Sequence, residues 1–319
     1  MEVINALLNI AVMVLIVSTM LAAGLGTTVA TLGRTFRNVR LVLLVLVMNL
    51  VLVPLIGWGT AEVLSLAVPA SIALVLLACS PGAPIAAKLA MIRRGDVVTA
   101  ASLQVLLAAV GSLTFAPTAN VIFTAAKLGG GISLPVGRLV LTVAVLQLLP
   151  FAVGLALQNW APETATQWRT PALQTSNLTL VAVLALSLLG SWQQIVALIG
   201  SLTLLAGLIF ALVAFGIGSL VASGSLVTRT TVGLLAPTRN AGPVFAAVAL
   251  AFGNDPQILG AVTGILLVGL VASVPLASYL ARRHSGPEAG GEPRGQSRSL
   301  DKQLSSEPDA RNSDRSTAD

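Results

Sequence analysis

Two short segments place proline, glycine and polar side chains in the middle of long apolar runs. Cys79-Ser80-Pro81-Gly82-Ala83-Pro84 and Ala236-Pro237-Thr238-Arg239-Asn240-Ala241-Gly242-Pro243 each hold two prolines and a glycine. Each proline removes a backbone donor and clashes with the preceding turn. In lipid a freed backbone group costs several kcal/mol, so such breaks persist only where they face protein or a watery cavity. Their chemistry is that of exposed backbone groups and helix ends, which can hold a ligand. Two basic residues accompany them: Lys88, just past Pro84, and Arg239 inside the second break. A charge at the bilayer centre costs about 2.5–3.5 kcal/mol on insertion scales. Lys88 has two readings. It snorkels toward Arg93, about 7.5 Å away at helical rise, or it serves the break. Arg239 lies about 15 Å from Arg229, too deep to snorkel easily. It either donates to the carbonyls freed by Pro237 and Pro243 or acts as a resident positive charge that attracts an anion. Helix N-termini at the breaks would add partial positive charge.

Other chemistries are excluded by composition. With 55% apolar and 9% charged residues and a mean hydropathy of +0.92, the chain is no soluble enzyme and no disordered protein. One Cys excludes a disulfide scaffold and a Cys-based metal cluster. The single His, His284, lies outside the apolar region, so neither a His metal site nor a Ser-His-Asp hydrolase is expected within the membrane. Glu2, Glu62, Asp96, Glu163 and Asp255 are the only acids before residue 284, and all fall at the terminus or in expected loops. Spans without His, Asp or Glu offer no enzyme site. No metal site and no cofactor are expected.

The elements that must position the breaks follow from length. About 20 apolar residues cross a bilayer. Nine spans are expected: 4–24, 39–59, 68–92, 97–123, 138–158, 175–191, 195–221, 229–252 and 258–281. The first lacks a basic leader and reads as a retained span. None alternates like a barrel strand. Arg34, Arg37, Arg40, Arg93, Arg94, Arg169, Arg229, Arg282 and Arg283 share one side, against Lys127 and Arg138 on the other. That asymmetry puts the N-terminus outside and the C-terminus in the cytoplasm of a cell (inner or plasma) membrane. The net charge of +6 therefore reads as the positive-inside signature of a membrane protein; nothing resembles a nucleic-acid module. Residues 1–283 form the membrane domain. The polar stretch 284–319 reads as a disordered cytoplasmic tail. Split as 4+5 spans, the two halves each carry the break in their penultimate span. This is the inverted-repeat pattern of secondary transporters.

Among the remaining residues, Cys79 reads as a small packed hydrophobe. Gly24-Leu25-Gly26 and the Gly260/Gly264 pair read as close helix packing. Trp58, Trp160, Trp168 and Trp192 read as interfacial anchors. Pro117 with Thr114, Thr118 and Asn120 reads as a kink or a cavity wall. Asp96 is a loop charge or a helix cap.

At several of these residues the chain resembles the bile acid:sodium symporter family. Ser18-Thr19-Met20-Leu21-Ala22-Ala23-Gly24-Leu25 resembles the family's first-helix "SMGL" region. Asn49 to Pro54 falls where the family has a Gln, four residues and a Pro. Ser80-Pro81-Gly82 through Arg94-Gly95-Asp96 resembles "CPGGTASN…LARGN/D". Thr238-Arg239-Asn240 falls on the second crossing helix, at the family's "Gly-x-Gln-Asn". The resemblance covers about residues 1–281. It implies a ten-helix fold, or nine without the first, with panel and core domains and two helices crossing at their breaks. It also implies transport of bile acids, other organic anions or small keto or hydroxy acids, usually with sodium.

The chain departs from this pattern at the sodium ligands. A Ser-Asn pair falls at Ala86 and Ala87, two hydroxyl ligands at Ala100 and Gln104, an acidic ligand at Leu235, and a Gln at Arg239. Asn240, and Asn49 in place of Gln, keep ligand-like chemistry. Sodium is thus possible by resemblance and opposed by the residues. The expectation is an all-α secondary transporter of small organic anions, with its substrate held near Gly82, Ala83, Pro84, Thr238, Arg239 and Asn240. Lys88, Asn49 and Gln104 are possible coupling residues. Lys88 is the candidate for proton coupling, since a lysine can give up its proton where an arginine does not. A sodium symporter of the family type and a passive anion facilitator or channel remain open alternatives.

Overall fold

The computed structural model describes residues 2–83, 89–90, 96–128, 133–222 and 225–284. Its helices are α1 (Glu2–Leu25), α2 (Val29–Phe36), α3 (Val39–Val47), a π-helical turn (Met48–Leu52), α4 (Val53–Val63), α5 (Val68–Ala78), α6 (Val97–Ala125), α7 (Val136–Trp160), α8 (Pro162–Ala197), α9 (Leu202–Val221), α10 (Leu226–Leu235), α11 (Ala241–Phe252) and α12 (Pro256–His284). Among the described residues there is no strand. Met1–Ser278 is one unit; of the second, Tyr279–Asp319, only the helical residues to His284 are described. The expected tail therefore lies outside the described residues, apart from His284.

Among the described residues, seven stretches are long and apolar enough to cross a membrane, one of them running through α3, the π turn and α4. Side chains start several helices. Thr28 caps α2, Asn38 caps α3, Asp96 caps α6 and Ser225 caps α10, each accepting a first-turn N–H. Asp96 is thus a helix cap and not a free loop charge. The π turn comes just before Pro54. A proline ring crowds the carbonyl one turn back, and a widened turn gives it room.

The structure moves several expected boundaries and resolves the expected interruption of the eighth span. Residues 162–174, expected as loop, are helical, because Pro162 and Glu163 make a favourable first turn for α8. The helix then runs on to Ala197, with Ser191 alone off helical geometry (φ −135°, ψ 21°). The next span starts at Leu202 rather than 195, behind the Ser201 cap. A short helix, α2, fills a stretch expected as loop. The third span stops being α-helical at Ala78, and most of its expected second half lies outside the described residues. The eighth splits into α10 and α11 around residues 236–240.

Helices α1, α7 and α8 pack on one another, while α4 packs on α5 and α9 on α10. The α1–α7 contact is backbone to backbone. A Cβ on Gly24 would strike the Phe151 carbonyl, and one on Gly154 would strike the Leu21 carbonyl and the Leu25 N–H. The expected packing role of Gly24 is therefore correct, with Gly154 as its partner. Gly260 and Gly264 face Gln194 and Leu198/Leu204 within the fold. Asn120 ties down the loop before α7 through both the N–H and the carbonyl of Leu134, so it is a loop clamp and no cavity wall.

The first break is fitted to α6. Gly82 has φ +86°, a conformation costly to any residue with a side chain. A Cβ there would also strike the backbone of Ala108 and the Gln104 carbonyl. The Pro81 ring rests on Gly111, where a Cβ would be 2.9 Å away.

Gly154→Ala should lower stability in detergent by about 1–3 kcal/mol, since the struck atoms are backbone and cannot turn away. Gly216→Ala, which meets no atom within 4 Å, should be neutral or stabilising. Thermal melting of both variants checks the pair.

Candidate functional site

The two breaks are joined by hydrogen bonds in both directions. The Asn240 N–H donates to the Ser80 carbonyl at 2.9 Å, and the Ser80 hydroxyl donates to the Asn240 carbonyl at 2.8 Å. Both residues are buried. The expected meeting of the two interrupted segments is thus present, built on main-chain groups that prolines and a glycine have kept out of helices.

Arg239 ties the junction together. Its side chain is 7% exposed. Nη1 donates to the Ala78 carbonyl at 3.3 Å, and Nη2 donates to Asn49 Oδ1 at 2.6 Å and to the Leu235 carbonyl at 3.0 Å. Ala78 ends α5 and Leu235 ends α10. Carbonyls in a last turn lack intrahelical partners and carry partial negative charge. One guanidinium therefore sits at two negative helix ends. The carbonyls it takes are not those freed by Pro237 and Pro243, because the long side chain reaches out to α5 and the π turn. Asn49 is fully buried in that turn, and its Nδ2 donates back to the Val45 carbonyl at 3.1 Å. The side-chain amide is thereby oriented with its oxygen toward Arg239. Nε of Arg239 has no hydrogen-bond partner among the described residues.

Asn240 starts α11. Its Oδ1 accepts from the Gly242 N–H at 3.2 Å. That bond fixes which end of the amide is oxygen, so Nδ2 points elsewhere, and no described residue accepts from it. Thr238 spends its one hydroxyl hydrogen on the carbonyls of Leu234 and Leu235.

A cavity of about 180 Å³ opens beside the junction. Of the residues the sequence suggests for a site, Ala83, Thr238, Arg239 and Asn240 line it. Gly82, Asn49 and Gln104 do not: Gly82 is pressed on α6, Asn49 is behind Arg239, and Gln104 is buried on α6. Pro84 and Lys88 lie outside the described residues. The facing wall comes from α1, α8, α9 and α12 and is mainly aliphatic, with Leu15, Leu180, Phe210 and Leu270 among its residues. Its polar members Thr19, Ser176, Asn177 and Ser273 were not singled out as site residues from the sequence. For Ser176 and Asn177 the trace in the sequence is the polar run Gln174-Thr175-Ser176-Asn177 at the expected start of a span.

The arrangement offers hydrogen-bond donors and a positive charge in an apolar enclosure. No group of three or more His, Cys, Asp or Glu that could hold a metal occurs among the described residues.

Arg239→Lys should destabilise the protein by about 2–3 kcal/mol, because one ammonium cannot meet three spread acceptors and buried acceptors left bare are costly. Arg138→Lys, at an exposed position, should leave stability unchanged. Melting temperatures in one detergent compare the two.

The Sodium Bile acid symporter family matches residues 13–223. The match takes in Thr19, Asn49 and the first break and ends short of Thr238, Arg239 and Asn240. No curated protein matches the chain. Members of the matched family are transporters, and the seven long apolar helices are those of a multi-pass membrane protein. The chain belongs to the sodium bile acid symporter family.

Proposed function

We propose that the protein is a secondary transporter of small organic anions that works without sodium, with Arg239 as its resident cation. The observation that carries this reading is the Arg239 guanidinium on the Ala78 and Leu235 carbonyls and on Asn49. A cation held between broken helices is stabilised by carbonyls at half-helix C-termini. Here those oxygens already have a positive partner that is covalently part of the chain. The acidic, hydroxyl and amide ligands that the family resemblance would place at Leu235, Ala100, Ala86 and Ala87 are absent from the sequence, so a sodium ion has few oxygens left. The donor set fits an anion instead: Asn240 Nδ2 beside the cavity, the N-terminus of α11, and the nearby guanidinium.

In this reading nine spans cross a cell membrane in a 4+5 inverted repeat, with the N-terminus outside and the C-terminus in the cytoplasm. The basic-residue asymmetry supports that orientation. The breaks carry the binding groups, and Lys88 is the residue for any proton coupling. The family match favours a second reading, sodium symport. Concentrative uptake separates either transporter from a passive anion channel.

Purified protein in liposomes, assayed for organic-anion binding and uptake in sodium and in choline buffer, tests the proposal. Affinity should be equal in the two buffers. Arg239→Gln should weaken anion binding about tenfold, the equivalent of ~1.4 kcal/mol, without creating sodium dependence. A wild-type affinity that rises steeply with sodium returns the protein to symport. For orientation, cysteines introduced at Glu62 and Ser285 should label from opposite faces, Glu62 from outside. Labelling of both from one side defeats the nine-span topology.

A further inference from the structure

The wall facing the breaks carries one built polar feature. Thr19 on α1 and Ser176 on α8 are both buried, and their hydroxyl oxygens lie 2.6 Å apart. A hydroxyl has one hydrogen to donate. The bond between them uses one of the pair's two, and neither hydroxyl has another partner among the described residues. This is unlike their neighbours. Ser18 donates back to Val14, Thr27 to Ala23, Thr179 to Thr175 and Ser273 to Gly269, each in the ordinary helical way. Thr19 and Ser176 make no such bond, although both are helical. One O–H and several lone pairs are left unspent on two buried side chains that line the cavity. The pair meets the rule that buried polar groups have a partner, and its unspent O–H is left to a group that enters the cavity.

Its position relative to the breaks is set by the residue one turn away. Ile16 on α1 packs on Gly242 in the first turn of α11, where a Cβ would meet its Cγ1 at 2.5 Å. Thr19 is therefore displaced by about 4.5 Å along α1 from that contact. The rest of the cavity lining is mainly apolar, with Leu15, Met20 and Phe210 among its residues.

We propose that the Thr19–Ser176 pair is a specificity site that reads a second oxygen on the transported anion, a hydroxyl or keto oxygen a few bonds from the carboxylate. This rests on the anion-transport reading and deepens it. The charged end meets the breaks. The second oxygen accepts the spare O–H of the pair, and a substrate hydroxyl can donate to a free lone pair in return. A plain fatty acid of equal length would leave that O–H without a partner.

The test uses butyrate, 3-hydroxybutyrate and 4-hydroxybutyrate as probes, with binding measured by calorimetry on the full-length protein. Wild type should bind at least one hydroxy acid five- to tenfold tighter than butyrate, about what one net hydrogen bond supplies. Thr19→Val and Ser176→Ala should each bring that ratio near one while butyrate affinity stays within about twofold. Equal wild-type affinity for all three probes overturns the proposal without need of a variant. A preference that survives in both variants overturns it too, as does an equal loss for every probe, which marks a purely structural bond. If wild type binds none of the acids, this proposal and the anion reading fall together. If binding requires sodium but the hydroxyl preference is present and lost in the variants, only the sodium-free reading falls.

Discussion

Helices α5 and α10 both bring a C-terminal carbonyl to one guanidinium, and those ends carry like partial charges. Something positive has to stand between them. In this protein it is the guanidinium of Arg239, which donates to Ala78 at the end of α5, to Leu235 at the end of α10 and to Asn49 in the π turn. The planar fork suits this geometry, since it presents several donors in fixed directions from one charge. Around it the rest of the junction follows. Ser80 and Asn240 exchange hydrogen bonds, Thr238 closes the last turn of α10, and Asn240 opens α11. No carboxylate is needed, because the negative partner of the arginine is the backbone itself.

The breaks owe their shape to packing as much as to proline. Pro81 would interrupt a helix anywhere. What fixes the direction of the chain afterwards is Gly82, whose positive φ and contact with the α6 backbone admit no side chain. Gly111 then receives the Pro81 ring. The first break is anchored on α6 on one side and bonded to Asn240 on the other. Residues Asn240 and Arg239 are thereby placed at the cavity from the second break, while the first contributes Ala83.

Much of this was readable from the sequence because the signals are local. Apolar length marks the spans, paired Pro-Gly-Pro segments mark the breaks, and a lone Arg in an apolar run marks a buried charge. The Asp96 cap and the close packing at Gly24 are equally local. What could not be read depends on partners far apart in the chain. Nothing near Gly154 or Gly111 says which helix will lie on it. Gly82 looks like a substrate contact in its motif, yet it faces α6. Asn49 looks like an ion ligand, yet it orients Arg239. The run from Pro162 looks too polar for a span, and its favourable first turn is what makes it helical. Thr19 and Ser176 are ordinary residues in ordinary helices until the fold sets their oxygens 2.6 Å apart.

A tethered cation changes the energetics of transport as well as the architecture. An ion that binds and leaves can spend a gradient on moving the substrate. Under the proposed reading, Arg239 supplies the same local charge in every state and cannot leave, so it contributes no driving force. It can only lower the cost of bringing a negative group to the breaks. Work against a gradient must then come from the substrate's own gradient or from a proton carried elsewhere. The stabilisation by Arg239 is also shared among its acceptors. Two of its nitrogens are engaged with backbone and Asn49, and Nε alone has no partner among the described residues. Its action on an anion is therefore mostly a field at short range in an apolar enclosure, where charge is weakly screened. Directional contacts fall to Asn240 Nδ2 on one side of the cavity, and selectivity has to come from the wall opposite.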